Sequence, residues 1–366
     1  MSAARRAEVE KTARLVGVDA GGLGFLAGLP GEDVRAFREQ AGAALNDGAP
    51  EMLDRIAAAT KLVPAPVAAA ISQKALGPRL AAAVAGRLEA GRAADIIARL
   101  PVDFTAESCA HLDPRKIAGI VDRLEEGLVV RIAVALAERR DHLTMGRFVG
   151  HLRDGVLGRI LERIGDTDVL RAGFYVDQPE RLPRILELMD DDRLGSVVRT
   201  AAAAGLWEEA LAVADAVGGE QRLRIARLTA RLDGAELASL VRVTHEAGLW
   251  ETLLPLVALL GEEDRLAVAR LEPLHDPRVL AGAVRAVVAT GLWGAFLPLA
   301  GALPADARKA VADAAAGLGD EELGALVREV ARQDLWELVL PLVELMDDTG
   351  RQRLFDLPAF RDQPAP

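Results

Sequence analysis

The sequence predicts an all-α fold, an α–α superhelix (solenoid) of helical repeats, and three observations carry that prediction. The four tryptophans, Trp207, Trp250, Trp293 and Trp336, stand 43 residues apart, each preceded by leucine and three of them inside Gly-Leu-Trp. An internal period of this size marks a repeat architecture and sets the fold before any local signal does. A shorter period precedes it: Leu76, Leu88, Leu100, Leu112, Leu124 and Leu136 are each 12 apart. No stretch sustains the apolar–polar alternation of a half-buried strand.

The chain divides into four segments. Residues 1–63 read as an N-terminal cap of about four short helices, one starting near Ala4 and another over Glu32–Leu45, with Val34, Phe37 and Ala41 among its apolar positions. The glycine-rich run Gly21-Gly22-Leu23-Gly24-Phe25-Leu26-Ala27-Gly28 is not a phosphate loop, because no strand precedes it and no Gly-Lys-Ser/Thr closes it. It is expected to be a pair of helix ends terminated by glycine.

Residues 64–165 carry the 12-residue period. Its leucines sit before breakers or caps, as in Gly77-Pro78, Pro101 and Asp113-Pro114. Proline is tolerated in a first turn, where its missing N–H has no partner to lose. Each unit is therefore a two-turn helix and a tight corner, too short to stand without its neighbours. The stretch Thr144-Met-Gly-Arg147-Phe148-Val-Gly-His151-Leu152 breaks the period and resumes it at Leu152. It is either a junction between repeat types or a contact site with Arg147 and His151 as its binding candidates.

Residues 166–189 form a transition unit. Glu187-Leu-Met-Asp-Asp191 returns later as Glu344-Leu-Met-Asp-Asp348, and carboxylates at such junctions cap the next helix. The run Asp190-Asp191-Asp192 lacks the spacing of a calcium loop.

Residues 190–366 hold four 43-residue units, about 190–232, 233–275, 276–318 and 319–361. Each fits three helices. In the second these are Ala235–Glu246 ended by Gly248, Leu249–Leu260 with a kink at Pro255, and Glu263–Leu271; Pro298 and Pro341 repeat the proline. Two arginine ladders run through the units. Eight residues before each tryptophan lie Arg199, Arg242, Arg285 and Arg328; fifteen after lie Arg222, Arg265, Arg308 and Arg351. One reading ties each repeat to the next through Asp233 and Asp276, helix C-terminal carbonyls or tryptophan faces. The other lines a groove for an acidic peptide or anionic ligand. The tryptophans, likewise, are inter-repeat packing or a recognition ladder.

Two family resemblances follow from these residues. Arg92-Ala-Ala-Asp-Ile-Ile-Ala-Arg-Leu100-Pro101 and Leu112-Asp113-Pro114-Arg-Lys-Ile-Ala-Gly-Ile, within residues 78–165, resemble the cytoplasmic N-terminal domain of MgtE-type magnesium channels. The resemblance implies a right-handed superhelix of short helices. That family's nucleotide-binding-like regulatory domains and membrane helices have no counterpart in the sequence, and its magnesium-sensing carboxylates have no matching positions. Residues 190–361 resemble armadillo and HEAT-type repeats in unit length, helical proline and arginine ladder.

Composition narrows the function. Hydrophobic residues make up 51% and aromatics 4% of 366 residues, and the net charge is −11. Residues 1–165 carry 23 basic against 21 acidic residues, so the acidity lies in the remainder, which argues against general nucleic-acid binding. The single Cys109 excludes an intrachain disulfide and fits a reducing compartment. The first residues, Met1 to Lys11, lack the apolar run of a signal peptide, and the most apolar stretch, Leu62–Ala85, is broken by Lys74, Arg79 and three prolines. A soluble cytoplasmic protein is expected, and the arginine- and alanine-rich, lysine-poor usage suggests a GC-rich bacterial source. The five histidines, His111, His142, His151, His245 and His275, lack metal spacing, Cys109 and His111 point to different faces of one expected helix, and no nucleophile elbow or paired-carboxylate motif occurs. No catalytic residue, metal ligand or cofactor is therefore assigned. The expected function is a non-enzymatic scaffold or adaptor binding a protein or acidic peptide, without nucleic acid or membrane insertion. The alternative is a regulatory protein binding a divalent cation such as magnesium or a small apolar ligand among the alanine-rich helices of residues 64–137.

Overall fold

The computed structural model describes residues 3–46 and 50–361. The protein is all-α: 79% of it is helical, with no strand among the described residues. It forms two compact units, Met1–Arg193 and Leu194–Pro366. No helix among the described residues is long and apolar enough to cross a membrane.

The first unit opens with helices Ala3–Val16 and Gly31–Asn46, joined by a 3-10 segment, Ala20–Gly28. The glycine-rich run is thus a pair of short helices meeting at Leu23, but glycine in the left-handed region does not terminate them. Asp19 caps it through the Gly21 amide at 2.8 Å, its backbone kinks at Leu23, and none of its glycines has a positive φ. The left-handed position is Gly17, at φ 75°, which ends the preceding helix.

The 12-residue period becomes eight-residue helices whose starts are 12 apart: Ala90–Ile97, Val102–Cys109 and Pro114–Val121. Leu88, Leu112 and Leu124 lie in the corners and pack on a core of Ala93, Ala94, Ile117 and Ile120. Asp113 caps one helix by accepting from the Arg115 amide. The period breaks because the next helix, Glu126–Glu138, is 13 residues long. Arg140 stops it in the left-handed region at φ 56°, and the following helix, His142–Val149, starts four residues late. Four residues are about one helical turn, so the leucine phase slips while the stacking direction is kept. Asp154–Leu161 and Asp166–Phe174 then continue at 12.

In the second unit one three-helix pattern recurs. Lead helices of 14 residues run Asp191–Ala204, Gly234–Ala247, Pro277–Thr290 and Asp320–Gln333. Tryptophan helices follow, Trp207–Asp215, Trp250–Ala258, Trp293–Ala302 and Trp336–Val343. Third helices are Gly219–Ala230, Glu262–Ala269, Ala305–Ala316 and Asp348–Asp356. At all three junctions the tryptophan helix packs on the next lead helix and the next tryptophan helix, and the third helix packs on the next tryptophan helix. The same three helix pairings therefore recur at each junction.

Junction carboxylates cap as expected: Asp190 accepts from the Arg193 amide at 2.8 Å and Asp347 from the Gly350 amide at 2.7 Å. The tryptophan helices, by contrast, run uninterrupted through Pro255, Pro298 and Pro341. Each proline is the sixth residue, so it withholds one intrahelical donor, from the carbonyl of the second residue, and the helix continues past it.

The corner between lead and tryptophan helices needs a left-handed residue. Gly205, Gly248 and Gly291 supply it at φ 66°, 68° and 70°, and Asp334 takes the same place at φ 54°. A side chain there costs about 1–2 kcal/mol that glycine avoids, less the entropy glycine loses on folding. Asp334 is exposed, and its side chain makes no bond among the described residues. Asp334→Gly is expected to raise stability by about 0.5–1 kcal/mol, read as a higher urea midpoint at unchanged slope.

Candidate functional site

The structure separates the two arginine ladders. Arg199, Arg242, Arg285 and Arg328 each occupy the ninth position of a lead helix, and all four are exposed. Arg199 and Arg328 have no hydrogen-bond or ion-pair partner among the described residues. Arg285 donates to the Ala281 carbonyl of its own helix at 3.3 Å, and Arg242 lies 4.0 Å from Glu272, itself 88% exposed. Such a surface pair holds neither side chain in place.

Arg222, Arg265, Arg308 and Arg351 are half-buried. Arg222 donates to the Ala214 and Asp215 carbonyls at 3.2 and 2.6 Å, closing the end of the tryptophan helix before it. Arg351 pairs with Asp348 in its own helix. Neither ladder bonds Asp233 or Asp276. Asp233 forms a capping box with Glu236, and Asp276 accepts from the Arg278 amide at 2.8 Å, because helix N-termini compete for short carboxylates next to them in sequence. No arginine lies on a tryptophan face; among the described residues the cation–π contact is Arg6 over Phe174, at 5.0 Å.

The tryptophans join repeats. Trp207, Trp250 and Trp293 are buried, and Trp207 Nε1 donates to Ser239 of the following lead helix at 2.8 Å. Gly282 stands at the matching place for Trp250, whose Nε1 is left without an acceptor while His245 fills the space a side chain would take.

In the first unit, Arg147 and His151 border a buried ion cluster that no sequence pattern indicated. Glu8 accepts from Lys11 at 2.9 Å, Arg38 at 3.1 Å and Arg35 at 3.3 Å. Asp177 accepts from Lys11 at 2.8 Å and Arg38 at 3.0 Å. Glu8, Lys11 and Arg38 are 4, 3 and 8% exposed. Around this cluster Arg14 meets Asp141 at 3.3 Å, Arg115 meets Glu39 at 3.0 Å, and Tyr175 donates to Glu10. The cluster fastens the N-terminal helices to residues 141–177. Arg147 is spent on the Leu112 carbonyl at 2.8 Å, and burial lowers its pKa. His151 meets Gln178 at 3.3 Å, and burial lowers its pKa also. Gly146 and Gly150 permit the approach: a β-carbon at either would fall within 2.6 Å of the Ala172 carbonyl or Gln178. The 144–152 stretch is thus a tight packing joint. Asp177 lies 166 and 139 residues from Lys11 and Arg38, and Glu8 lies 30 from Arg38 outside any repeat, so the cluster left no periodic trace for sequence reasoning to find.

Catalytic groups are not assembled. Cys109 ends the Val102–Cys109 helix and His111 lies beyond it, so the two do not share a helix; burial pushes the thiol up to about 12. No group of three His, Cys, Asp or Glu side chains able to hold a metal occurs among the described residues. The first unit does contain an apolar cavity of about 130 Å³ among Ile117, Ile120, Leu136, Phe148 and Leu157. The Thr105 hydroxyl at its wall already donates to the Pro101 carbonyl.

No protein-family model matches the chain, and neither a curated protein nor a solved structure matches it.

The cluster sets an acid response. Burial works against the Asp177 carboxylate, but Lys11 and Arg38 overcome it and hold its pKa below the ordinary 3.8. A depressed carboxylate contributes stability above its unfolded pKa and loses it as pH falls through the folded value. Asp177→Asn is expected to lose about 3 kcal/mol at pH 7, because it strands buried cations. The gap to the parent protein should close below about pH 3.8, as followed by urea unfolding at both pH values.

Proposed function

We propose that this chain is a non-enzymatic helical-repeat scaffold or adaptor of the cytoplasm, with armadillo- and HEAT-like repeats in residues 190–366 and a short-helix superhelix like the MgtE N-terminal domain before them. The observation that carries the proposal is the row of exposed guanidiniums at Arg199, Arg242, Arg285 and Arg328, of which Arg199 and Arg328 have no partner among the described residues and Arg242 and Arg285 make only long contacts at the surface. Residues that serve only the stack are held by it, as Arg222 is; this row is not. Residues 194–366 carry 17 basic against 26 acidic residues, so the row is a local cationic line on an acidic unit. An acidic protein segment is the partner that such a line selects and orients. The test is affinity purification of the tagged chain from its native cells, repeated with all four arginines changed to glutamate. Four surface pairs at about 0.2–1 kcal/mol each make a loss of roughly tenfold or more in partner affinity the expected result. Full binding by a variant with unchanged helicity and melting temperature overturns the proposal.

The cavity of the first unit supports a second reading, a regulatory protein binding a small apolar ligand. An apolar void near this size stays dry and accepts a molecule as large as benzene. Benzene or xenon should raise the melting temperature of the parent protein and leave an Ala133→Leu variant, whose new side chain fills the void, unaffected. No shift in the parent protein removes this reading.

A further inference from the structure

We infer that the segment recognised by the second unit is an acidic chain in polyproline-II conformation, lying across the lead helices with a carboxylate at every third residue. This rests on the scaffold reading and adds the conformation and register of the partner.

The register comes from the repeat step. The four arginines share one position on four equal helices, and the lead helices Gly234–Ala247, Pro277–Thr290 and Asp320–Gln333 pack side by side. Arg242, Arg285 and Arg328 therefore stand on three adjacent helices. Packed helices lie ~8–10 Å apart, so the guanidiniums recur at about that interval. A polyproline-II chain rises ~3.1 Å per residue with three residues per turn, which returns the same face every ~9 Å. A β-strand fails, because residues three apart point to opposite faces. An α-helical partner would cover the interval in about six residues. A helix docks, however, through an apolar face set into an apolar groove. No large hydrophobic side chain is exposed on a lead helix among the described residues; in this unit those exposed are Leu259, Leu266, Leu340 and Phe355, all elsewhere.

Charge confines the chain to the row. Asp191 and Asp192 open the first lead helix, and Asp320, Glu321 and Glu322 the fourth. A carboxylate sliding toward those ends meets like charge and leaves the guanidinium. An unfolded acidic segment already samples polyproline-II structure, so little ordering is needed at binding.

The test uses the full chain and fluorescein-labelled synthetic peptides of about 12 residues, long enough for four polyproline-II turns. Each carries four glutamates in a proline- and serine-containing background, spaced every third residue, every second residue or as one block. Fluorescence anisotropy is read at low salt, where surface charges are least screened. The every-third peptide is expected to bind at least about fivefold tighter than the other two, and Arg242→Ser with Arg285→Ser to abolish the difference. Equal binding by all three overturns the register and leaves an acidic partner standing. Binding by none, with partner capture still sensitive to the arginine reversals, overturns the extended chain in favour of a folded partner. Binding by none, with capture insensitive, overturns the scaffold site itself. Tighter, arginine-dependent binding of an oligouridylate of matching length overturns the peptide in favour of a nucleic acid.

Discussion

Every helix leaves its last four carbonyls without intrahelical donors, and in a chain of many short helices such ends and the corners after them are frequent. Arginine meets that shortage from elsewhere in the stack. Arg92 donates to the Thr60 carbonyl at 2.8 Å and also to that of Val63, and Arg147 to Leu112 at 2.8 Å. Arg181 reaches Leu152 at 3.1 Å, and Arg193 reaches Leu161 and Ile164 at 3.3 and 2.7 Å. In the second unit Arg222 and Arg353 do the same for Ala214 and Ala316. A guanidinium offers five donors in a rigid fork and stays charged when half-buried, which an ammonium does less well. The preponderance of arginine, with only five lysines in the chain, thus has a structural use beyond the base composition of its gene.

This use defines the residues that stand outside it. Once carbonyl-capping arginines and the ion cluster around Glu8 and Asp177 are set aside, the exposed arginines of the second unit, among the described residues, are Arg227, Arg231, Arg270, Arg278 and Arg332, none of which recurs in all four repeats, and the lead-helix row, which does. The fold supplies spacing and orientation there, since each guanidinium inherits its place from the same helix position and the same repeat step. Recognition by such a row is electrostatic and positional, and it follows from rigid helices rather than from a loop that must be ordered.

Much of the fold was legible because periodicity is local information. The 43-residue step placed the three helices of each repeat, Gly248 marked a left-handed corner, and Asp113 and Asp347 marked helix starts, all through contacts within a few residues. Errors arose where a local rule met a competing one. The run from Gly21 to Gly28 holds two 3-10 helices that meet at Leu23 with no glycine in the left-handed region, and the helix of Pro255 continues past the proline. Asp233 and Asp276 were taken by the N-termini beside them. The slip after Leu136 was visible, but not its cause, one extra turn in Glu126–Glu138.

The sequence by itself determined an all-α chain, its two repeat lengths, and the arginines and tryptophans that recur with them, because hydrophobic period, caps and breakers act over a single turn or corner. Tertiary structure decided which ladder faces solvent and which is half-buried, that Trp207 bonds the next repeat, and that Lys11 and Arg38 meet Asp177 across more than 130 residues. Both ladders have the same period and the same side chain. What separates them is burial. One row stands on the solvent side of the lead helices; the other is half-buried, where Arg222 finds the end of the helix before it, and burial is set by how the helices pack.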